Sequence, residues 1–415
     1  MRQVSLVRRL LYGCFLFVML AGCDDNSSHM GLSLTDPSQC AGDPSEINVL
    51  PADVSSEVDQ LVANAMNSKN FGYVPGLSVA VAQDGKAVFA KGYGWANIAS
   101  NTAVCADTPF ELGSVTKSFT TIGLLLILDN PGLNKSNLGP LDLKSPISQY
   151  LSPNPEFALP SAWENITTEQ LLSMSSGIPD ASSNTLRWQE ILDMVGEDPL
   201  LFPPGTGYCY SNPSFMVIGE IIQQLTEMPY PEFMEEEVFI PLGMNDTIIH
   251  TRENTPIDLA TGYKCDQSPS TCSTPDPRSP LSSFSAGAII STAVDLITFL
   301  AALQQQLLLK PSTYDLMWSV INPVGEWGLG WQVSVSDKYM IYRKDGALPG
   351  FSSQVSLYHG DKVYVAIASN ETFDGETPYT ELAAQIVAAV IGVDSIPNPP
   401  GPGDGCTPPT PSPMP

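Results

Sequence analysis

The stretch Phe110-Glu-Leu-Gly-Ser-Val-Thr-Lys-Ser-Phe-Thr-Thr121 sets a hydroxyl, Ser114, three residues ahead of an amine, Lys117. The apolar run Ile122–Leu128 follows, interrupted only by Gly123. This pattern predicts a buried helix that begins at or just before Ser114. Helix positions i and i+3 share a face, so hydroxyl and amine can meet there. The first turn also offers backbone N–H groups without intrahelical partners, aimed where an oxyanion would form. A serine hydroxyl is a weak nucleophile until a base takes its proton, and a lysine can be that base when desolvation lowers its pKa. Taken alone, Ser-x-x-Lys describes a helix cap and a solvated lysine equally well. The rest of the chain has to decide.

Upstream, Val54, Val58, Leu61, Val62, Ala65 and Met66 recur at helical spacing and mark an amphipathic first helix. The β-rich runs Leu77–Gln83 and Lys86–Lys91 flank Asp84-Gly85, a strong hairpin signal. Downstream, Asp129 to about Pro280 is rich in Pro, Gly and Ser turns, with helices expected at Thr168–Met174, Phe215–Leu225 and Tyr230–Val238. Strands return at Leu329–Val335, Tyr339–Arg343, Ser352–Tyr358 and Val363–Ala368, before a helix over Pro378–Ile391. The expected fold is α+β. One antiparallel sheet, built from residues 51–128 and 281–393, is faced by terminal helices, and residues 129–280 form an inserted all-helical domain. Residues 394–415 are Pro/Gly-rich and predict a disordered tail.

The 415 residues include 18 basic and 44 acidic side chains, a net charge of −26, which argues against a nucleic-acid partner. Arg2, Arg8 and Arg9 precede the uncharged apolar run Leu10–Gly22, the layout of a secretory signal. The run ends Leu20-Ala21-Gly22-Cys23, which resembles a bacterial lipobox. That resemblance implies that residues 1–22 are cleaved and that Cys23 carries lipid. Asp24-Asp25 resemble the signal of enterobacterial sorting rules, which implies retention at the periplasmic face of the inner membrane, with the cell surface as the alternative. Residues 23–50 then read as a tether. Of eight cysteines, Cys40, Cys105, Cys209, Cys265, Cys272 and Cys406 remain, an even number that suggests disulfides in an exported protein. Cys265 with Cys272 is the favoured pair. No Cys-x-x-Cys or His-containing spacing points to a metal, and no cofactor motif is found.

Two further stretches carry chemistry. In Phe202-Pro-Pro-Gly-Thr-Gly-Tyr-Cys-Tyr-Ser-Asn212, Tyr210 can hold and return a proton, and Asn212 can orient a substrate amide. In Tyr342-Arg-Lys-Asp-Gly-Ala-Leu-Pro-Gly-Phe351, Lys344 presents a positive charge at a strand end, and Gly346 lets a substrate lie against the backbone. The order Ser-x-x-Lys, Tyr-x-Asn, Lys-x-Gly resembles the penicillin-recognising serine hydrolases, especially class C β-lactamases and the related esterases and D-amino-acid peptidases. The segments ELGSVTKSFT, LLSMSSGIPD, VFIPLGMNDT, SAGAIISTAVDLITFL and LPGFSSQVSLY extend the likeness over about Pro51–Val393.

The resemblance implies an acyl-enzyme on Ser114, with Lys117 assisting its deprotonation and Tyr210 shuttling the proton. It implies that Asn212, Lys344, Asp345 and Gly346 bind substrate, and that the backbone N–H groups of Ser114 and Ala347 form the oxyanion hole. Asp345 stands where the family usually has Thr, beside Lys344. There it would repel a substrate carboxylate or mask the lysine, unless strand alternation turns it away. That favours small neutral esters or amides over β-lactams and D-Ala-D-Ala ends, with a β-lactamase, a D-Ala-D-Ala carboxypeptidase or a D-aminopeptidase acting on a peptidoglycan-derived substrate as the alternative. Met174 replaces a histidine common in the family's corresponding stretch. A Ser-His-Asp triad would need His250 or His359, and no Gly-x-Ser-x-Gly is present. A contrasting expectation is a catalytically silent lipoprotein that binds peptidoglycan fragments or a partner.

Overall fold

The computed structural model describes residues 40, 45–68, 72–151, 159–181, 195–196, 198–251, 255–256, 258–266, 268–276, 283–322, 324, 326–336, 339–373, 379–397 and 406–407. The signal, Cys23 and most of the tether lie outside the described residues. Helix α1 (Ala52–Met66) precedes the hairpin β1 (Gly76–Gln83) and β2 (Lys86–Asn97), turning at Asp84-Gly85 as expected. Helix α2 (Thr116–Asp129) continues a short 3-10 turn, Gly113–Val115. Helices α3 (Asn212–Thr226) and α4 (Ala293–Gln304) follow. The chain then forms β3 (Gln332–Ser336), β4 (Tyr339–Leu348), β5 (Phe351–Tyr358), β6 (Val363–Ser369) and α5 (Tyr379–Ile391).

These strands make an eight-stranded sheet in the order Ile47–Asn48, β2, β1, β6, β5, β4, β3, with Thr102–Ala103 added on β2. Every pairing is antiparallel, and β1 meets β6 from Leu77↔Ser369 to Gln83↔Val363. Side-chain alternation separates two cores. Leu77, Val79, Val81, Val363, Val365 and Ile367 pack against α1 and α5 through Val58, Val62, Ile386 and Val387. Ala80, Ala82, Tyr364 and Ala366 belong to the other core, with Phe119 of α2 and Leu296 and Leu300 of α4. The described strands of this sheet come only from residues 47–103 and 332–369. Described residues between Asp129 and Ser283 form helices, turns and short strands outside it.

Two features depart from the sequence reading. Residues 23–50 are not all free of the domain: Ile47–Asn48 pairs with Phe89–Ala90 at the sheet edge, and Cys40 is bonded to Cys105. The C-terminal segment is not wholly free either. Cys406–Thr407 pairs antiparallel with Tyr208–Cys209, and a disulfide joins Cys209 to Cys406. Proline and glycine content is what suggested disorder, and it carries no information about a covalent tie. The Cys265–Cys272 pair is present.

Candidate active site

Helix α2 is buried nearly all round, without a break from Thr116 to Leu125, although its first turns are rich in Thr, Ser and Lys. Its N-terminal turn is held from several sides. Leu112 N–H donates to Ile289 O at 2.9 Å, Ser353 Oγ donates to Leu112 O at 2.7 Å, and Thr120 Oγ1 donates to Ser285 O at 2.6 Å. The turn can lie this close to β4 because two residues lack side chains. A Cβ on Gly346 would stand 2.0 Å from Leu112 O and 2.8 Å from Ser114 N. One on Gly113, whose φ is +54°, would stand 3.0 Å from Ala347 N.

The register explains why Ala347 is useful at that point. β4 pairs with β3 only from Tyr339 to Arg343, but with β5 as far as Leu348↔Phe351. The two-residue loop Pro349-Gly350 fixes the alternation of hydrogen-bonded pairs, so even-numbered residues of β4 bond to β5. Asp345 and Ala347 therefore direct N–H and C=O to an edge that β3 has already left. Lys344 Nζ donates to Asp345 O there at 2.8 Å, as this polarity requires. Ala347 N–H thus points out beside the Ser114 turn, the geometry of a two-donor oxyanion hole.

Ser114, Lys117, Tyr210 and Asn212 come together. Lys117 is fully buried and donates to Ser114 Oγ at 2.9 Å, Asn212 Oδ1 at 2.7 Å and Ala286 O at 2.8 Å. Tyr210 OH makes a short hydrogen bond, 2.5 Å, to the same Ser114 Oγ. Tyr210 and Asn212 straddle the start of α3, where Ser211 Oγ caps by accepting from Ser214 N. Asp180 Oδ1 accepts from Asn212 N at 2.7 Å. Lys344, 3% exposed in its side chain, lies 5.4 Å from the centroids of both Tyr210 and Trp327. Trp327 in turn stacks on Tyr208. Two cations therefore flank the Tyr210 ring, since Lys117 is 5.0 Å from its centroid.

Asp345 is an edge residue. The pleat turns its side chain to the face opposite Gly346, yet Oδ1 is 4.0 Å from Lys344 Nζ and the side chain is 49% exposed. Burial acts to raise its pKa, but the charges of Lys344, Arg343 and Lys117 outweigh that and hold the carboxyl below its ordinary range. The buried member of this pair is the cation, and the half-exposed member is the anion.

Sequence reasoning missed Ala286, Asp180 and Trp327. Ala286 acts through its carbonyl, which no side-chain pattern reveals. Asp180 lies 32 residues from the helix it caps. Met174 is fully buried at φ +55°, and its carbonyl accepts from Cys209 N at 3.0 Å, supporting the strand before Tyr210. His250 faces away from a triad role: Nδ1 is 3.5 Å from Glu111 Oε1, and Nε2 is 2.8 Å from Thr255 Oγ1. His359 meets the edge of the Tyr342 ring. Among the described residues, no group of three or more His, Cys, Asp or Glu could hold a metal ion.

Residues 58–389 match the family model described as Beta-lactamase. The chain is 30% identical over 345 residues to Unguisins hydrolase ungD' of Aspergillus campestris, covering 77% of this chain and 63% of that protein. It is 26% identical over 325 residues to Penicillin-binding protein 4* of Bacillus subtilis, covering 72% of this chain and 69% of that one. It therefore spans less than two thirds of the first relative's length. Among solved structures, the octameric penicillin-binding protein homologue from Pyrococcus abyssi superposes with a TM-score of 0.69 at 21% identity, over 82% of this chain and 78% of that one. D-amino acid amidase from Ochrobactrum anthropi SV3 does so with a TM-score of 0.69 at 24% identity, over 82% and 99%.

Proposed function

The chain belongs to the Beta-lactamase family, and we propose that it hydrolyses small, uncharged esters or amides through an acyl-enzyme on Ser114. The observation that carries this reading is the convergence of Lys117 Nζ and Tyr210 OH on one serine oxygen. In the proposed cycle Ser114 Oγ attacks the substrate carbonyl, and its proton passes to the Lys117–Tyr210 pair. The N–H groups of Ser114 and Ala347 receive the tetrahedral oxyanion, one such donor being worth ~10²–10³ in rate. Tyr210 then gives the proton to the leaving group, and a water activated at the same position hydrolyses the acyl-enzyme. Asn212, fixed by Lys117 and Asp180, orients the substrate amide or carbonyl.

The preference for uncharged substrates rests on the exposed Asp345 carboxylate beside the buried Lys344. The same anion supports a second reading, an amide or ester that carries a free ammonium group, as an amino-acid amide does. We also propose that the mature protein is exported and anchored through lipid on Cys23. The apolar leader and three disulfides support this. Loss of fatty-acid labelling in Cys23→Ser is the expected result, and normal labelling would end that part.

The deciding experiment is reaction with a fluorophosphonate probe, followed by a panel of short-chain p-nitrophenyl esters, a chromogenic cephalosporin and a D-alanyl dipeptide. Labelling that disappears in Ser114→Ala, with ester turnover dominant, is expected. An unlabelled wild type would instead make the protein a binder that has lost its chemistry.

A further inference from the structure

The segment Tyr208–Cys209 immediately precedes Tyr210 and is buried, and Asn322 Nδ2 donates to the carbonyl just before it, Gly207 O, at 3.1 Å. On one side Cys209 N–H donates to Met174 O. On the other, its strand partner among the described residues is Cys406–Thr407, with Cys406 opposite Cys209 and Thr407 opposite Tyr208. The Cys209–Cys406 disulfide makes that pairing covalent across 197 residues of sequence. Tyr208 is also the ring on which Trp327 stacks, and Trp327 faces the Lys344 ammonium. A shift of Tyr208–Cys209 would therefore move Tyr210 directly and Lys344 through Trp327.

We propose that the Cys209–Cys406 disulfide is a positioning device for Tyr210, so that the chain's C-terminal segment completes the active site and catalysis depends on the redox state of this one bond. The proposal rests on Tyr210 acting in the reaction as set out above. Its asymmetry suits a switch: Cys406 is exposed, and Cys209 is 1% exposed. A dithiol reductant attacks the accessible Cys406 sulfur and expels Cys209 as a thiolate. Its second thiol then resolves the mixed disulfide on Cys406, leaving two protein thiols and an oxidised, cyclic reductant, a two-electron exchange in all. The two-residue strand pair alone is too short to persist, so Cys406–Thr407 separates and the backbone of Tyr208–Cys209 loses its strand partner on that side. The enzyme would then reach full activity only where disulfides form.

The test uses the full chain, with dithiothreitol as reductant and oxidised glutathione to restore. Reduction should lower kcat on a p-nitrophenyl ester, and the rate of fluorophosphonate labelling of Ser114, by about tenfold or more, since displacements near 1 Å can cost ~10²-fold. KM should change little, and reoxidation should restore the rate. Cys209→Ala/Cys406→Ala should be slow from the start and indifferent to reductant, whereas Cys265→Ser/Cys272→Ser should respond as the wild type does. A merely stabilising bond would lower Tm but leave kcat intact below it. Amide hydrogen exchange at residues 207–212, read by mass spectrometry, needs no turnover and should rise on reduction. Unchanged exchange there with both thiols alkylated overturns the proposal, as does a fully active double variant. An oxidised wild type that never labels, yet shows the exchange change, overturns the hydrolase reading instead.

Discussion

Replacing Asp345 by Thr tests whether charge at the strand edge sets substrate choice. Lys344 Nζ and Asp345 Oδ1 are 4.0 Å apart, the lysine buried and the carboxylate half in water. Unit charges about 4 Å apart interact by roughly 4 kcal/mol at an effective dielectric of 20, and by about 1 kcal/mol in bulk water. Half exposure places the effect of Asp345 on an incoming carboxylate toward the lower end, about 1–2 kcal/mol, or roughly 5- to 30-fold in kcat/KM. The measurement is kcat/KM for an uncharged p-nitrophenyl ester and for a carboxylate-bearing cephalosporin, at low and high salt. Asp345→Thr should raise the cephalosporin value by that factor at low salt and leave the ester nearly unchanged. An ammonium-bearing amide should lose by a similar factor. Asp345 is held below the ordinary carboxylate range, so the effect should persist unchanged from about pH 5 upward. A ratio of the two kcat/KM values that is the same in wild type and variant would refute the charge argument. The esterase preference would then have no physical basis.

Lys117→Met and Tyr210→Phe should each cut turnover by ~10²–10⁴ with little loss of Tm, and wild-type turnover in either removes that residue from the proton path. Trp327→Leu should lower kcat several-fold, while Trp327→Phe keeps most of it, because a buried cation–π contact is worth about 1–2 kcal/mol; equal rates in both variants would show that the ring does not act on Lys344. Gly346→Ala should abolish labelling of Ser114 in a folded protein, since its Cβ would collide with Leu112 O; normal labelling would show that the edge can retreat. Glu220, buried in α3 and accepting from Gln223 Nε2 at 2.7 Å, has its pKa pushed up to about 7 by burial. The folded state therefore holds its proton longer than the unfolded state, and stability should fall as pH rises from about 4.5 to about 7. Glu220→Gln should remove that decline and raise Tm at pH 8, and an identical pH–Tm curve would contradict the assignment.

How much of this was legible beforehand follows from the range of each interaction. The β1–β2 hairpin, the β4–β6 meander and the outer helices are written in local periodicity and turn residues, so they could be read within a residue or two, except that β2 runs on to Asn97 and β4 to Leu348. That strand runs on to Leu348 because Lys344-Asp-Gly346, which looks like a strand end, continues the ladder with β5 after β3 has stopped. The difference matters chemically, because a strand that outlasts one neighbour exposes an N–H at Ala347 on an otherwise bonded edge. The side chains proposed to act in catalysis were legible as motifs, since that chemistry demands particular residue types. Their supports were not. Ala286 contributes a carbonyl that any residue could supply, Met174 likewise, Asp180 accepts from Asn212 across 32 residues, and Asn322 Nδ2 donates to Gly207 O and Ser173 O across 115 and 149. Cys209 shows the limit most clearly. Its place beside Tyr210 was plain in Tyr-Cys-Tyr-Ser-Asn, but six cysteines allow fifteen pairings, and only the fold selects Cys406 from a segment whose composition argues for disorder. The residues that perform chemistry are thus constrained by type and appear in the sequence, whereas those that hold them are constrained by position and appear only in the structure.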